Sequence, residues 1–99
     1  MKFTFKTEKP TGRYRSFEAT MYLIKFKKKR CGFMFEQYSD PIKINLSVEK
    51  TLNIDDGNPN CKWMNVSFKK EFKNIDDAKK WLNENIELIM KKFTLYFID

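Results

Sequence analysis

From Ile42 to Glu49 the chain alternates without a break: Ile42, Ile44, Leu46 and Val48 are apolar, while Lys43, Asn45, Ser47 and Glu49 are polar. Successive side chains of a strand point to opposite faces, so this period predicts a strand with one buried and one wet face. Beyond Asn74 the period changes. Ile75, Ala78, Leu82, Ile86, Ile89 and Phe93 recur at spacings of three and four, which lines them up along one side of a helix, and Trp81 and Leu88 widen that stripe. Asn74 is a good N-cap. Asp76 and Asp77 fall against the positive end of the helix dipole, and Lys91 and Lys92 against its negative end. A single switch of period predicts an α+β chain: an antiparallel sheet over residues about 2–70, then one long C-terminal helix over about 75–93 packed on one face.

The other strands fill out a sheet of four or five. Lys2–Thr7 alternates, with Phe3 and Phe5 on one side. Lys9-Pro10-Thr11-Gly12 is turn chemistry, because proline presets φ and glycine tolerates a positive one. A second strand is expected from about Tyr14 to Lys27, apolar on both parities. Phe17, Ala19, Met21 and Leu23 form one set, and Tyr22, Ile24 and Phe26 the other. Either a bulge switches the faces midway or both faces are covered. Lys28–Gly32 reads as a hairpin connection, and Phe33-Met34-Phe35 opens the third strand, which Ser39-Asp40-Pro41 ends. After the turn-rich Asp55–Asn60, a fifth strand runs from about Cys61 to Phe68. Thr94–Ile98 suits either a helix end or a short terminal strand. Ninety-nine residues suit one domain, and no linker or repeat divides them.

Histidine is absent, which removes the commonest general base and the commonest zinc ligand. Cys31 and Cys61 cannot complete a tetrahedral zinc site alone. Arg30 and the lysines before it are the kind of neighbours that lower a thiol pKa at Cys31, but the simpler reading, a free cysteine in a turn, is the one expected. Asp55-Asp56-Gly57 lacks the spaced carboxylates of a calcium loop, and three scattered glycines form no phosphate cradle. The expectation is a non-catalytic protein without cofactor or metal. No apolar run approaches the ~18 residues of a membrane span, and no leader-like segment follows Met1, so a cytoplasmic protein with reduced thiols is expected.

Charge is the remaining signal. The net charge is +7, and residues 1–30 hold ten Lys/Arg against Glu8 and Glu18, whereas residues 31–99 hold ten Lys against eleven Asp/Glu. The whole surplus therefore sits in the first third. Arg13, Arg15, Lys25, Lys27, Lys28, Lys29 and Arg30 are the candidate phosphate contacts, with Phe26 and Phe33 as candidate stacking rings. Cations beside flat rings are what single-stranded nucleic acid requires. The alternative is that lysines simply fill exposed strands and keep the chain dispersed. One helix covers one sheet face, so apolar groups on the other parity, Trp63 among them, also predict a homodimer or a protein target.

Strands followed by one helix resemble the ββββα modules of the PC4, Whirly and PUR-repeat families across most of the chain. That likeness implies single-stranded nucleic-acid binding on the sheet, as a dimer, and carries over no individual residue. Pro10–Phe17 and Asp76–Leu82 resemble segments of short proteins encoded by bacterial phages and mobile elements. This second likeness implies binding to host or defence machinery. Two functions follow as expectations. One is a phage- or mobile-element-encoded binder of nucleic acid, or of a nucleic-acid-handling protein, acting through the basic third. The other is a protein–protein inhibitor or adaptor acting through an apolar sheet face.

Overall fold

The computed structural model describes residues 1–9, 20–36, 41–50 and 62–98. Five strands, β1 (Thr4–Glu8), β2 (Thr20–Phe26), β3 (Lys29–Glu36), β4 (Ile42–Glu49) and β5 (Trp63–Phe72), form one antiparallel sheet in chain order. The helices α1 (Ile75–Glu84) and α2 (Ile86–Lys92) follow. The α+β class and the antiparallel sheet match the sequence pattern. The single long helix does not.

Asn85 breaks the helix. Its φ of −112° and ψ of 15° leave the helical region, and both its backbone N–H and its side-chain amide donate to the Trp81 carbonyl, at 3.0 and 2.8 Å. An asparagine that bonds its own helix in this way competes with the regular ladder and ends it. The stripe survives the break. Ile75, Ala78, Leu82, Ile86 and Ile89 are all buried, but Leu88 is 61 % exposed and does not belong to it. At the other end the Asn74 side chain accepts from the Asp77 N–H at 2.9 Å, as an N-cap should.

The helices lie over the inward parity of the sheet. Ile24, Met34, Ile44, Leu46 and Leu82 share one apolar cluster with no measurable exposure. Trp81 meets Phe68 and Phe72 with ring centroids 5.5 and 5.8 Å apart, and Lys79 Nζ stands 5.4 and 5.2 Å from the rings of Phe5 and Tyr22. The Asn83 amide holds the chain start, accepting from Phe3 N at 2.7 Å and donating to Phe3 O at 3.4 Å. β5 outruns its expected end at Phe68 because of an irregularity. Lys43 pairs with Glu71 but Asn45 pairs with Ser67, so β5 carries extra residues there, which sets both Phe68 and Phe72 under Trp81.

The β2–β3 hairpin also differs from its sequence reading. Phe26 pairs with Lys29, leaving Lys27-Lys28 as a two-residue connection with φ of 52° and 68°. Positive φ at both positions is the geometry whose twist matches an antiparallel hairpin, normally built from asparagine and glycine. Gly32, expected near the end of the connection, lies within β3. A Cβ there would press on the Asn45 carbonyl and come 2.8 Å from Leu46 Cδ2. The bulge, one of the two alternatives for the second strand, lies on its partner. Ile24 pairs with Gly32 and Lys25 with Arg30, so Cys31 is the extra residue. Tyr22, Ile24 and Phe26 keep to the helix side throughout, and the expected residues 14–19 of that strand lie outside the described ones.

The C-terminal segment is extended. Leu95 bridges Val48 and Ile98 bridges Arg30, with bonds from Glu49 N to Thr94 O (2.7 Å), Tyr96 N to Ser47 O (2.9 Å) and Ile98 N to Arg30 O (2.8 Å). Val48 already pairs with Met64, and Arg30 with Lys25, on their other sides. The segment therefore enters between β3 and β4 where their own ladder stops at Gly32 and Leu46. It buries Leu95 and stacks Phe97 on Phe26 and Tyr96 on Trp63. Ser47, expected on the wet face, is buried here, its hydroxyl 3.2 Å from Asn65 Oδ1.

Candidate nucleic-acid interface

The face away from the helices is set by pairing. Lys6 lies opposite Leu23, and Leu23 opposite Phe33. Thr4 lies opposite Lys25, and Lys25 opposite Arg30. Phe5, Ile24 and Phe26 point to the helices, so strand alternation sends Lys6, Leu23, Lys25 and Phe33 the other way. The tight Lys27-Lys28 turn then brings Lys28 and Lys29 to the same end. The result is a shallow concavity of about 240 Å³ lined by Lys6, Lys25, Lys28, Lys29 and Arg30, with Leu23 and Ile98 as its apolar lining.

Among the described residues Glu8 is the one acid lining it, and Lys6 Nζ sits 3.6 Å from Glu8 Oε1. Both side chains are substantially exposed, so the pair itself adds little stability. It does neutralise that carboxylate, leaving Lys25, Lys28, Lys29 and Arg30 around one hollow. Like charges gathered this way raise the local potential and attract anions.

The structure brings four of the expected cations together: Lys25, Lys28, Lys29 and Arg30. Lys27 turns aside, its Nζ 5.5 Å from the Phe26 ring centroid. Phe26, expected to offer its ring to a base, is buried on the helix side. Its ring lies 5.9 Å from Phe3, edge-on, and 6.4 Å from Phe97, stacked. Phe33 is half-buried on the concavity side, edge to face with Phe35 at 5.5 Å. Arg13 and Arg15 lie outside the described residues. Lys6, Leu23 and Ile98 were not among the expected site residues. The parity of β1 carries the signal for Lys6, since it alternates with Phe5, but only the inserted C-terminal segment places Ile98.

Burial pushes the Cys31 thiol up to about 12, the opposite of an activated cysteine, because a thiolate at that depth would lose its hydration. Cys61 lies outside the described residues. Among the described residues no group of three or more Cys, Asp or Glu side chains is placed to hold a metal ion. Among the same residues no helix is long and apolar enough to cross a membrane. The Tyr22 hydroxyl donates to Glu36 Oε2 at 2.9 Å, and that bond raises the phenol's pKa.

No family model, curated protein or solved structure matches this chain. Its class therefore rests on its own geometry: a two-layer α+β protein with a basic hollow on the sheet face away from the helices.

Proposed function

We propose that the protein is a non-catalytic nucleic-acid binder that tracks phosphates through the hollow at the β1–β3 end of the sheet. One observation carries this reading: Lys25, Lys28, Lys29 and Arg30 converge on one concavity where the one carboxylate among the described lining residues, that of Glu8, is already paired with Lys6. A phosphate chain replaces condensed counterions with such cations, so affinity falls with salt in proportion to the contacts made. The lack of histidine in the sequence and the buried thiol of Cys31 support a binding role over a catalytic one. A phage or mobile-element source belongs to the same proposal and rests on the two segment likenesses.

Fluorescence anisotropy with a labelled oligonucleotide across a salt series tests it. Four or five contacts on a single strand predict a log–log slope of about −3. Replacing Lys25, Lys28, Lys29 and Arg30 by serine should flatten the slope and weaken all sequences alike. Absence of binding at low salt, or binding indifferent to salt, sinks the reading.

A second reading has its own support. Half-buried Met21, Phe33, Phe35, Trp63 and Tyr96 share that sheet face, a composition suited to a protein target or a second copy.

A further inference from the structure

We propose that Tyr96 is a base-stacking position beside the hollow, which makes the ligand a single strand rather than a duplex; this rests on the phosphate-binding reading above. The C-terminal segment is the structural reason. Ile98 lines the hollow, and Tyr96, two residues earlier on the same extended segment, points to the same face. Two strand residues span about 6–7 Å, so the ring stands roughly one nucleotide's reach from the cations.

Its position is fixed from both sides. Tyr96 N bonds to Ser47 O on β4, and Ile98 N bonds to Arg30 O on β3, the strand that supplies a cation to the hollow. Trp63 backs the ring, with centroids 5.9 Å apart and planes 17° from parallel. A half-buried tyrosine held in this way loses little freedom when a base stacks on it, and a planar platform of this kind accepts any base. In a duplex the bases are already stacked on each other and offer no free face. The ring therefore selects for unpaired strands, while the cations alone would accept either form.

The test compares a thymidine oligonucleotide, an abasic strand of equal length and a duplex, bound to the wild type, Tyr96→Leu and Tyr96→Phe. The abasic strand keeps every phosphate and loses every base. The wild type should bind the thymidine strand about tenfold more tightly than the abasic one, the factor expected of one stacked base. Tyr96→Leu should erase that difference and leave the salt slope unchanged, and Tyr96→Phe should retain it. Protection of the Ile98 amide from exchange shows whether the segment stays in the sheet in each variant. If Tyr96→Leu releases it, the wild-type and Tyr96→Phe comparisons decide.

Equal binding of abasic and normal strands by the wild type overturns the stacking proposal and leaves the phosphate reading standing. A duplex bound as tightly as the single strand does the same. No binding to any of the three removes both. Polyglutamate competing better than the thymidine strand overturns both in favour of an acidic protein partner.

Discussion

Lys27 and Lys28 stand where an asparagine and a glycine would cost the backbone least. A side chain held at positive φ costs on the order of 1 kcal/mol, and here two lysines in succession are held there. A turn chosen for stability alone would not contain them. One of the pair, Lys28, lines the hollow, so the strain falls where the charge is used. The double substitution Lys27→Asn with Lys28→Gly should raise stability by about 1–2 kcal/mol, seen as a higher denaturation midpoint with an unchanged denaturant slope. The same variant should bind oligonucleotide more weakly, with a shallower salt dependence. An unchanged midpoint would mean that the turn stores no strain. The sequence shows a hairpin here but displaces its turn toward Gly32, because lysines carry no turn signature whereas that glycine does. Its lack of a Cβ serves the close approach of β3 to Asn45 and Leu46 instead, a demand that only the cross-strand register reveals.

Among the elements, the sheet and the helix stripe were legible because each has a period and the faces are chemically distinct. Ile42 to Glu49 named its buried face four times over, and three of its four polar positions stay off the core. The exception, Ser47, lies beside a segment far along the chain, which no local pattern encodes. The helix break was written in the sequence at Asn85, but the stripe runs across it undisturbed and hides it. Leu88 shows the limit of composition: it is apolar, yet six residues past Leu82 it comes round to the outer side. The stripe yields a paired prediction. Leu82→Asp buries a carboxylate with no partner, at a cost of several kcal/mol against a total stability of ~5–15, and should leave the chain unfolded by circular dichroism. Leu88→Asp should melt within about 0.5 kcal/mol of the wild type. A folded Leu82→Asp protein would mean that the helix presents another face to the sheet.

At the scale of the whole molecule, the uneven charge of the sequence becomes a position in space. Of the surplus in residues 1–30, Lys25 on β2, Lys28 in the turn, and Lys29 and Arg30 at the start of β3 are gathered at one end of the sheet by the tight turn. The hollow itself was not legible. It depends on which side of β1 Lys6 faces relative to Lys25 and on the insertion of residues 94–98, both long-range facts. The same geometry bears on self-association. The face away from the helices carries Met21, Phe33, Phe35, Trp63 and Tyr96 among its polar side chains. A stable dimer takes roughly 800 Å² from each copy, about a tenth of a small protein's surface, and the surface of this chain totals 7447 Å². Two copies meeting through this face would bring their basic hollows near one another, and that repulsion weakens the contact most at low salt. Light scattering at high protein concentration should therefore show a reversible dimer that gains strength as salt rises. A single-stranded oligonucleotide should dissolve it into one-to-one complexes, because both partners need the same face. Monomer mass at every concentration and salt would leave that face without self-affinity and remove the second reading's dimer. A dimer that persists at full strength in the presence of bound oligonucleotide would place the self-contact elsewhere, with β5, the last strand in the sheet order, as the next surface to mutate.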